Sequence, residues 1–202
     1  MDPHFYWYLA RAAGIVAFCL VTFSTSLGLC ISNRLGGGIF EKPWIYELHK
    51  FAALLAIGFL GIHIAALIPD PWSSFRIVDL LVPGTSAYRP IAVAGGVLAM
   101  YGALIGTFSF YVKRWIGYGA WRLLHYTTFG TFGLMLLHGV LAGTDSSQAW
   151  LALLYATGGL LVFSLTLYRI MAEPHSGRSQ RQIEVAFPGF SARGQRDVSR
   201  TR

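Results

Sequence analysis

The chain has 202 residues, of which 54% are hydrophobic and only 12% are charged, and its formal net charge is +7 at pH 7. So few charged residues cannot cover the surface of an ordinary soluble protein of this length, which excludes that class. The long apolar runs do not alternate with polar residues as the strands of a membrane barrel would, so the composition predicts an all-α membrane protein in a lipid bilayer.

Five apolar stretches have about the twenty residues that a helix needs to cross a hydrocarbon core of about 30 Å. In chain order they are residues 8–31, 46–68, 90–112, 120–142 and 148–170. The sequence therefore predicts a bundle of five transmembrane helices that fills residues 1–172.

Lysine and arginine residues between these stretches lie unevenly on the two sides of the predicted membrane. One side has Arg34, Lys42, Lys113, Arg114, Arg122, Arg169 and the arginines of the tail, and the other has Arg11, Arg76 and Arg89. Because cytoplasmic loops are the more basic ones, we predict that the N-terminus is outside and the C-terminus inside. The protein is then a multi-pass protein of the cytoplasmic membrane.

Residues 173–202 are rich in Arg, Ser, Gly and Gln and are too polar to form a core. We predict a basic, disordered cytoplasmic tail. Attraction to an anionic leaflet, about 1 kcal/mol per basic residue, is enough to explain its charge. We therefore expect no nucleic-acid partner.

Two of the predicted helices each carry two histidines. His49 and His63 are fourteen residues apart in the second helix, and His125 and His138 are thirteen apart in the fourth. Fourteen residues of helix place two side chains about 40° apart in azimuth and about 21 Å apart along the axis. Both helices run outward in the predicted orientation, so His49 and His125 share one depth and His63 and His138 share another. The sequence predicts two layers of paired imidazoles, an inner layer of His49 and His125 and an outer layer of His63 and His138.

Such a layer is suited to bind haem, because haem iron takes axial nitrogen ligands on opposite faces of a flat macrocycle. A zinc or copper ion needs clustered ligands, whereas each layer offers two histidines and no cysteine or carboxylate. The alternative is that the histidines only form hydrogen bonds between helices.

The thirteen-residue spacing needs an explanation, because it leaves His138 about 140° from His125 in azimuth on an ideal helix. Local rewinding near Gly130 and Gly133 is one solution. Cofactors that meet different flanks of the helix are another.

Haem propionates need cationic or polar partners near the two membrane interfaces. Lys50 and Arg122 are the candidates beside the inner layer, and Arg76 and Arg89 are the candidates beyond the outer one. The alternative for the first two is ordinary positive-inside anchoring, and for the others it is solvation in a loop.

Several motifs along residues 10–167 resemble a known family. They are ARAAGIVAFCLVTFSTSLGL in the first helix, LHKF with His63 fourteen residues on, YRPIAV at the start of the third helix, WRLLH with His138 thirteen on, and HGVLAGTD. The chain resembles the ferric reductase-like transmembrane domain of NADPH oxidases, ferric reductases and the haem subunit of bacterial methionine sulfoxide reductase. It differs from the larger members in having five predicted spans instead of six and no flavin or nicotinamide domain.

The resemblance implies two haem b groups, with His49 and His125 as iron ligands of the inner one and His63 and His138 of the outer one. It implies single-electron transfer across the membrane by an oxidoreductase component, and we assign no catalytic residue. The chain has no glycine-rich dinucleotide fingerprint, so the electron donor is expected to be a separate flavoprotein, a ferredoxin or quinol. Two alternatives are a non-redox membrane scaffold or transporter-like subunit and a quinol-linked cytochrome b anchor. The acceptor and the oligomeric state stay open.

Overall fold

The computed structural model describes residues 4–33, 35, 39–71 and 74–186, with side chains as far as residue 171. Its elements in chain order are α1 (Phe5–Ser32), a short 3₁₀ helix (Ile39–Glu41), α2 (Pro43–Leu67), α3 (Ile77–Leu81), α4 (Pro90–Ala142) and α5 (Ala149–Ala186). The described residues contain no strand, so the prediction of an all-α fold is confirmed.

Four helices in the described part of the chain are long and apolar enough to cross a membrane. They are Phe5–Ser32, Pro43–Leu67, Pro90–Ala142 and the Ala149–Met171 part of α5. Many large apolar side chains on them point outward, for example Ile91, which is 87% exposed, and Leu123, which is 71% exposed. Such a surface is stable in lipid and not in water.

Helix α4 has 53 residues and turns back on itself at Gly117. A straight helix of that length would measure about 80 Å, far more than a bilayer core of about 30 Å. The backbone leaves helical geometry at Gly117, where φ is 80° and ψ is 162°. The Tyr88 hydroxyl, just before α4, donates to the carbonyl of Ala142 at its end over 3.0 Å. The two halves of α4, residues 90–116 and 118–142, therefore lie antiparallel and correspond to the predicted third and fourth spans.

Replacing Gly117 with alanine should destabilise this hairpin. Its backbone angles lie in a region that is essentially restricted to glycine, and holding another residue there costs about 1–3 kcal/mol. We expect a lower midpoint of thermal unfolding for Gly117→Ala in detergent. Gly119→Ala is the matched control, since a side chain there also meets open space but φ is not positive. Equal midpoints for the two variants would contradict this explanation of the turn.

Small residues let α1 pack closely against α2. Ala10, Ala13 and Ala17 of α1 are buried, as are Ala52 and Ala56 of α2, and these two helices share the most extensive contact in the fold. Close approach of helices through small side chains is typical of membrane bundles.

A second group of buried side chains joins α1, α4 and α5. Phe18 stacks on Phe132 with ring centres 6.1 Å apart and meets the edge of Tyr155 at 4.9 Å. This aromatic cluster holds the C-terminal half of α4 against α1 and α5, which positions the histidines of α4 toward the centre of the bundle.

Helix α5 continues to Ala186. It therefore includes the first part of the segment 173–202 that the sequence predicts as a disordered tail. The rest of that segment, residues 187–202, lies outside the described residues, and the disorder predicted there stays a prediction.

Candidate functional site

The four histidines of α2 and α4 form two pairs. The ring centres of His49 and His125 are 6.2 Å apart with an angle of 80° between the ring planes. Those of His63 and His138 are 6.4 Å apart with an angle of 79°. The rings are thus paired as the sequence predicts, while their role as ligands stays a prediction.

Three of the four rings have their Nδ1 atom hydrogen-bonded to a backbone carbonyl. His63 donates to Ala10 over 2.7 Å, His138 donates to Ala92 over 2.8 Å, and His49 donates to Ser24 over 2.8 Å. A carbonyl oxygen only accepts, so Nδ1 carries the proton in each ring and Nε2 keeps its lone pair. This is the arrangement typical of histidines that bind a metal through Nε2.

His125 is held differently. Its Nδ1 is buried and has no hydrogen-bond partner among the described residues. The ring instead stacks on Trp121, one helical turn earlier, with ring centres 5.3 Å apart and planes 20° apart. The indole nitrogen of Trp121 is also buried without a hydrogen-bond partner in the described part of the chain.

The thirteen-residue spacing is accommodated by a regular helix between His125 and His138. The chain is helical through Gly130 and Gly133, and Gly117 is the one position in α4 where the backbone leaves helical geometry. His138 is anchored across the hairpin to Ala92, whereas His125 lies against its own helix. The two rings leave α4 from different flanks, so no rewinding is needed.

Glycines make room for three of the rings. A Cβ at Gly96 would lie 2.5 Å from Nδ1 of His138, and one at Gly14 would lie 3.0 Å from Nδ1 of His63. A Cβ at Gly28 would lie 3.1 Å from Cε1 of His49. None of these three glycines was predicted from the sequence to contact a histidine. The signal that could have found them is the fourteen-residue spacing of Gly14 and Gly28, which matches that of the α2 histidines.

A mostly apolar cavity of about 1200 Å³ runs through the bundle past both pairs. All four long helices line it. It extends from Arg11 and Asp145 at one end to Lys50 and Arg169 at the other. This volume exceeds the roughly 300–1,000 Å³ of a typical single ligand site.

The spacing within each pair fits a metal held between two imidazoles. Such a metal separates the ring centres by about 6.2 Å, because each metal–nitrogen bond is about 2.0 Å and each nitrogen lies about 1.1 Å from its ring centre. No three His, Cys, Asp or Glu side chains cluster for a metal ion in the part of the chain that the structure describes. Two ligands are too few for a tetrahedral zinc site, but they suffice for haem iron, whose other four ligands are porphyrin nitrogens.

Both cations predicted beside the inner layer line the cavity. Lys50 pairs with Glu47 over 2.7 Å, and Nε of Arg122 donates to the hydroxyl of Tyr126 over 2.8 Å. Arg169 of α5 donates to the same hydroxyl over 3.3 Å. Arg169 was not predicted from the sequence as a site residue, although its predicted place at the inner end of the last span could have indicated it.

The cations predicted beyond the outer layer lie elsewhere. Arg76 and Arg89 do not line the cavity. The Arg89 guanidinium donates to the carbonyl of Leu141. The Arg76 guanidinium donates to the carboxylate of Asp79. Their predicted contact with propionates gains no support from this placement. Arg11 lines the outer end instead, where it pairs with Asp145.

The Arg76 side chain belongs to the cap of the short helix α3. Its Nε donates to Asp79 over 3.0 Å and its terminal nitrogen over 2.9 Å, while the Arg76 backbone N–H also donates to Asp79. These bonds lower the pKa of Asp79 to about 2. Local pairing between the two ends of one turn therefore satisfies both charges.

Because of the Arg76–Asp79 pair, the stability of the α3 loop should depend on pH only in strong acid. Because the folded pKa of Asp79 lies below its usual value of about 3.9, its contribution to stability is present above about pH 4 and is lost as the pH falls toward 2. We expect Asp79→Asn to speed hydrogen exchange of residues 77–82 at pH 7, while the wild-type loop keeps its protection down to about pH 4. Asp145→Asn, in another loop, is the control. Unchanged exchange in Asp79→Asn would show that the pair does not hold the loop.

Comparison of the chain with models of known protein families, with curated proteins and with solved structures found no match. The resemblance to ferric reductase-like domains therefore stays a proposal that depends on the motifs and on the histidine pairs.

Proposed function

We propose that this chain is a bis-haem b electron-transfer protein of the ferric reductase-like type in the cytoplasmic membrane. His49 and His125 would bind the inner haem iron, and His63 and His138 the outer one. The observation that carries the proposal is the spacing of the two pairs, 6.2 and 6.4 Å between ring centres, which matches two imidazoles on opposite faces of one metal.

The residues around the pairs have two tasks. The carbonyls of Ala10, Ala92 and Ser24 hold three rings in the tautomer that leaves Nε2 free to bind. Apolar side chains of the four long helices line most of the cavity and keep water from the iron sites. When bound, haem supplies a one-electron iron couple whose potential the axial ligands and their surroundings set.

The membrane arrangement is part of the proposal. We propose five crossings, with the two halves of α4 counted separately, the N-terminus outside and the C-terminus inside. Two layers about 21 Å apart along α2 then divide the crossing of a core of about 30 Å into short electron-transfer steps. A single layer would leave most of that core uncrossed. An inside-negative potential favours outward movement of an electron by about 2.3 kcal/mol per 100 mV.

The donor would be a separate flavoprotein, a ferredoxin or quinol, which delivers single electrons at the cytoplasmic side. With such a donor, the protein would act as one component of an oxidoreductase.

A scaffold without cofactor is the second candidate, and one observation favours it. The hydrogen bonds of His63 to Ala10 and of His138 to Ala92 join α2 to α1 and the two halves of α4. Histidines that only hold helices together would make the same contacts. The scaffold explains these bonds, but it gives no reason for the matched spacing of the two pairs.

Proteoliposomes separate the two candidates. We expect vesicles that hold the haem-loaded full chain and enclose ferricyanide to lose the ferricyanide absorption when a membrane-impermeant reductant is added outside. His175→Ala, which lies beyond the spanning part of α5, should behave as wild type. Loss of absorption no faster than in protein-free vesicles would overturn the proposal.

A further inference from the structure

The two histidine layers are not equivalent in their hydrogen bonds. In the outer layer both rings donate through Nδ1 to a carbonyl. In the inner layer His49 does so, but His125 has no partner in the described part of the chain.

Trp121 takes the place of the missing acceptor. Its ring lies nearly parallel to that of His125, 5.3 Å away. The indole is itself fixed from the other side of the Gly117 turn, because the ammonium of Lys113 lies 4.3 Å from its ring centre. A cation over an indole face is attracted by the ring's quadrupole. The orientation of His125 is thus tied to the turn of the hairpin.

We infer, on the premise of the proposed function, that Trp121 positions His125 in place of a carbonyl acceptor, and that the inner layer holds an electron more tightly than the outer layer. A bond from Nδ1–H to a carbonyl makes an imidazole a stronger electron donor to the metal. Stronger donation stabilises oxidised iron and lowers its reduction potential. The outer layer has two such bonds and the inner layer has one.

The charges near the layers act in the same direction. Arg122 lines the inner end of the cavity, where its guanidinium donates to the uncharged hydroxyl of Tyr126. Positive charge near a redox centre stabilises its reduced form. At the outer end Arg11 is paired with Asp145, so the two charges largely cancel.

This order has a consequence for the direction of electron flow. The difference in reduction potential between the two layers opposes outward movement of an electron and favours inward movement. Outward transfer then depends on the inside-negative membrane potential to offset it.

A redox titration of the purified full chain, followed by haem absorption, tests the order of the layers. We expect two midpoints for wild type. His63→Ala or His138→Ala, which leave the inner layer, should retain the higher of the two. Retention of the lower one, or a single midpoint for both wild-type haems, would overturn the inference while leaving the proposed function intact. A chain that binds no haem would overturn both.

Substitutions of Trp121 test the positioning role. Trp121→Leu should shift the higher midpoint and the low-spin ferric EPR signal of the inner layer, with the lower midpoint unchanged. Trp121→Phe keeps a stacking ring and should restore the wild-type signal. Trp115→Leu is the matched control, because Trp115 is on the same hairpin but is 70% exposed and does not line the cavity. A higher midpoint and an EPR signal that do not change in Trp121→Leu would show that Trp121 does not position His125.

Discussion

Alanine at His63 or His138 should reduce the haem content from two per chain to one, and alanine at His49 or His125 should do the same. Each substitution removes one of the two axial imidazoles of a layer, and the other layer, about 21 Å away, keeps both of its own. Haem per chain, measured as the pyridine haemochrome, gives the number. The missing redox midpoint tells which layer was lost, so the four variants should fall into two groups of two.

His175→Ala is the control for this series and should retain both haems. The grouping is the sharper part of the prediction, because a general loss of stability would not sort the variants by layer. Two haems in all four variants would rule out the ligand assignment.

Alanine at Gly96 should remove the outer haem without any change to a histidine. The added Cβ would lie 2.5 Å from Nδ1 of His138, which is closer than nonbonded atoms approach, so the ring has to move away from Ala92. Overpacking of this kind usually costs about 1–3 kcal/mol. We expect haem content to fall from two per chain to one, with the inner midpoint retained.

Gly58→Ala is the matched control, because a Cβ at Gly58 of α2 meets nothing within 4 Å. Gly14→Ala should have a smaller effect than Gly96→Ala, since its Cβ would lie 3.0 Å from His63. If Gly96→Ala binds as much haem as Gly58→Ala, the close fit around His138 has no part in binding the cofactor.

The helical bundle and the histidine pairs could be predicted from the sequence. Membrane thickness fixes the length of an apolar helix, so the spans appear as runs of about twenty residues. Helical periodicity then places His49 and His63 on one face of α2. Both inferences depend on local rules that the surrounding fold does not change.

The neighbours of the rings could not be predicted in this way. The stacking of His125 on Trp121, and the missing acceptor at its Nδ1, depend on how the two halves of α4 meet after the turn at Gly117. Helical spacing does not determine how the two halves of α4 pack against each other. The contacts between Gly96 and His138 depend on this packing as well.

Competition between possible partners explains the placement of Arg76. The sequence offers Arg76 as a partner for a distant propionate, but Asp79 is three residues away and forms two hydrogen bonds with its guanidinium. Contact with a nearby carboxylate requires little ordering of the chain, so it is more favourable than contact with a distant one. The Arg76 and Asp79 spacing at the start of a short helix was present in the sequence and could have indicated this pair.

The reduced-minus-oxidised absorption spectrum of the purified wild-type chain, with haem counted per polypeptide, tests the central claim most directly. Two opposed imidazole pairs predict a b-type spectrum and two haems per chain. A colourless protein after expression with ample haem would contradict the account and would leave the histidines as contacts between helices.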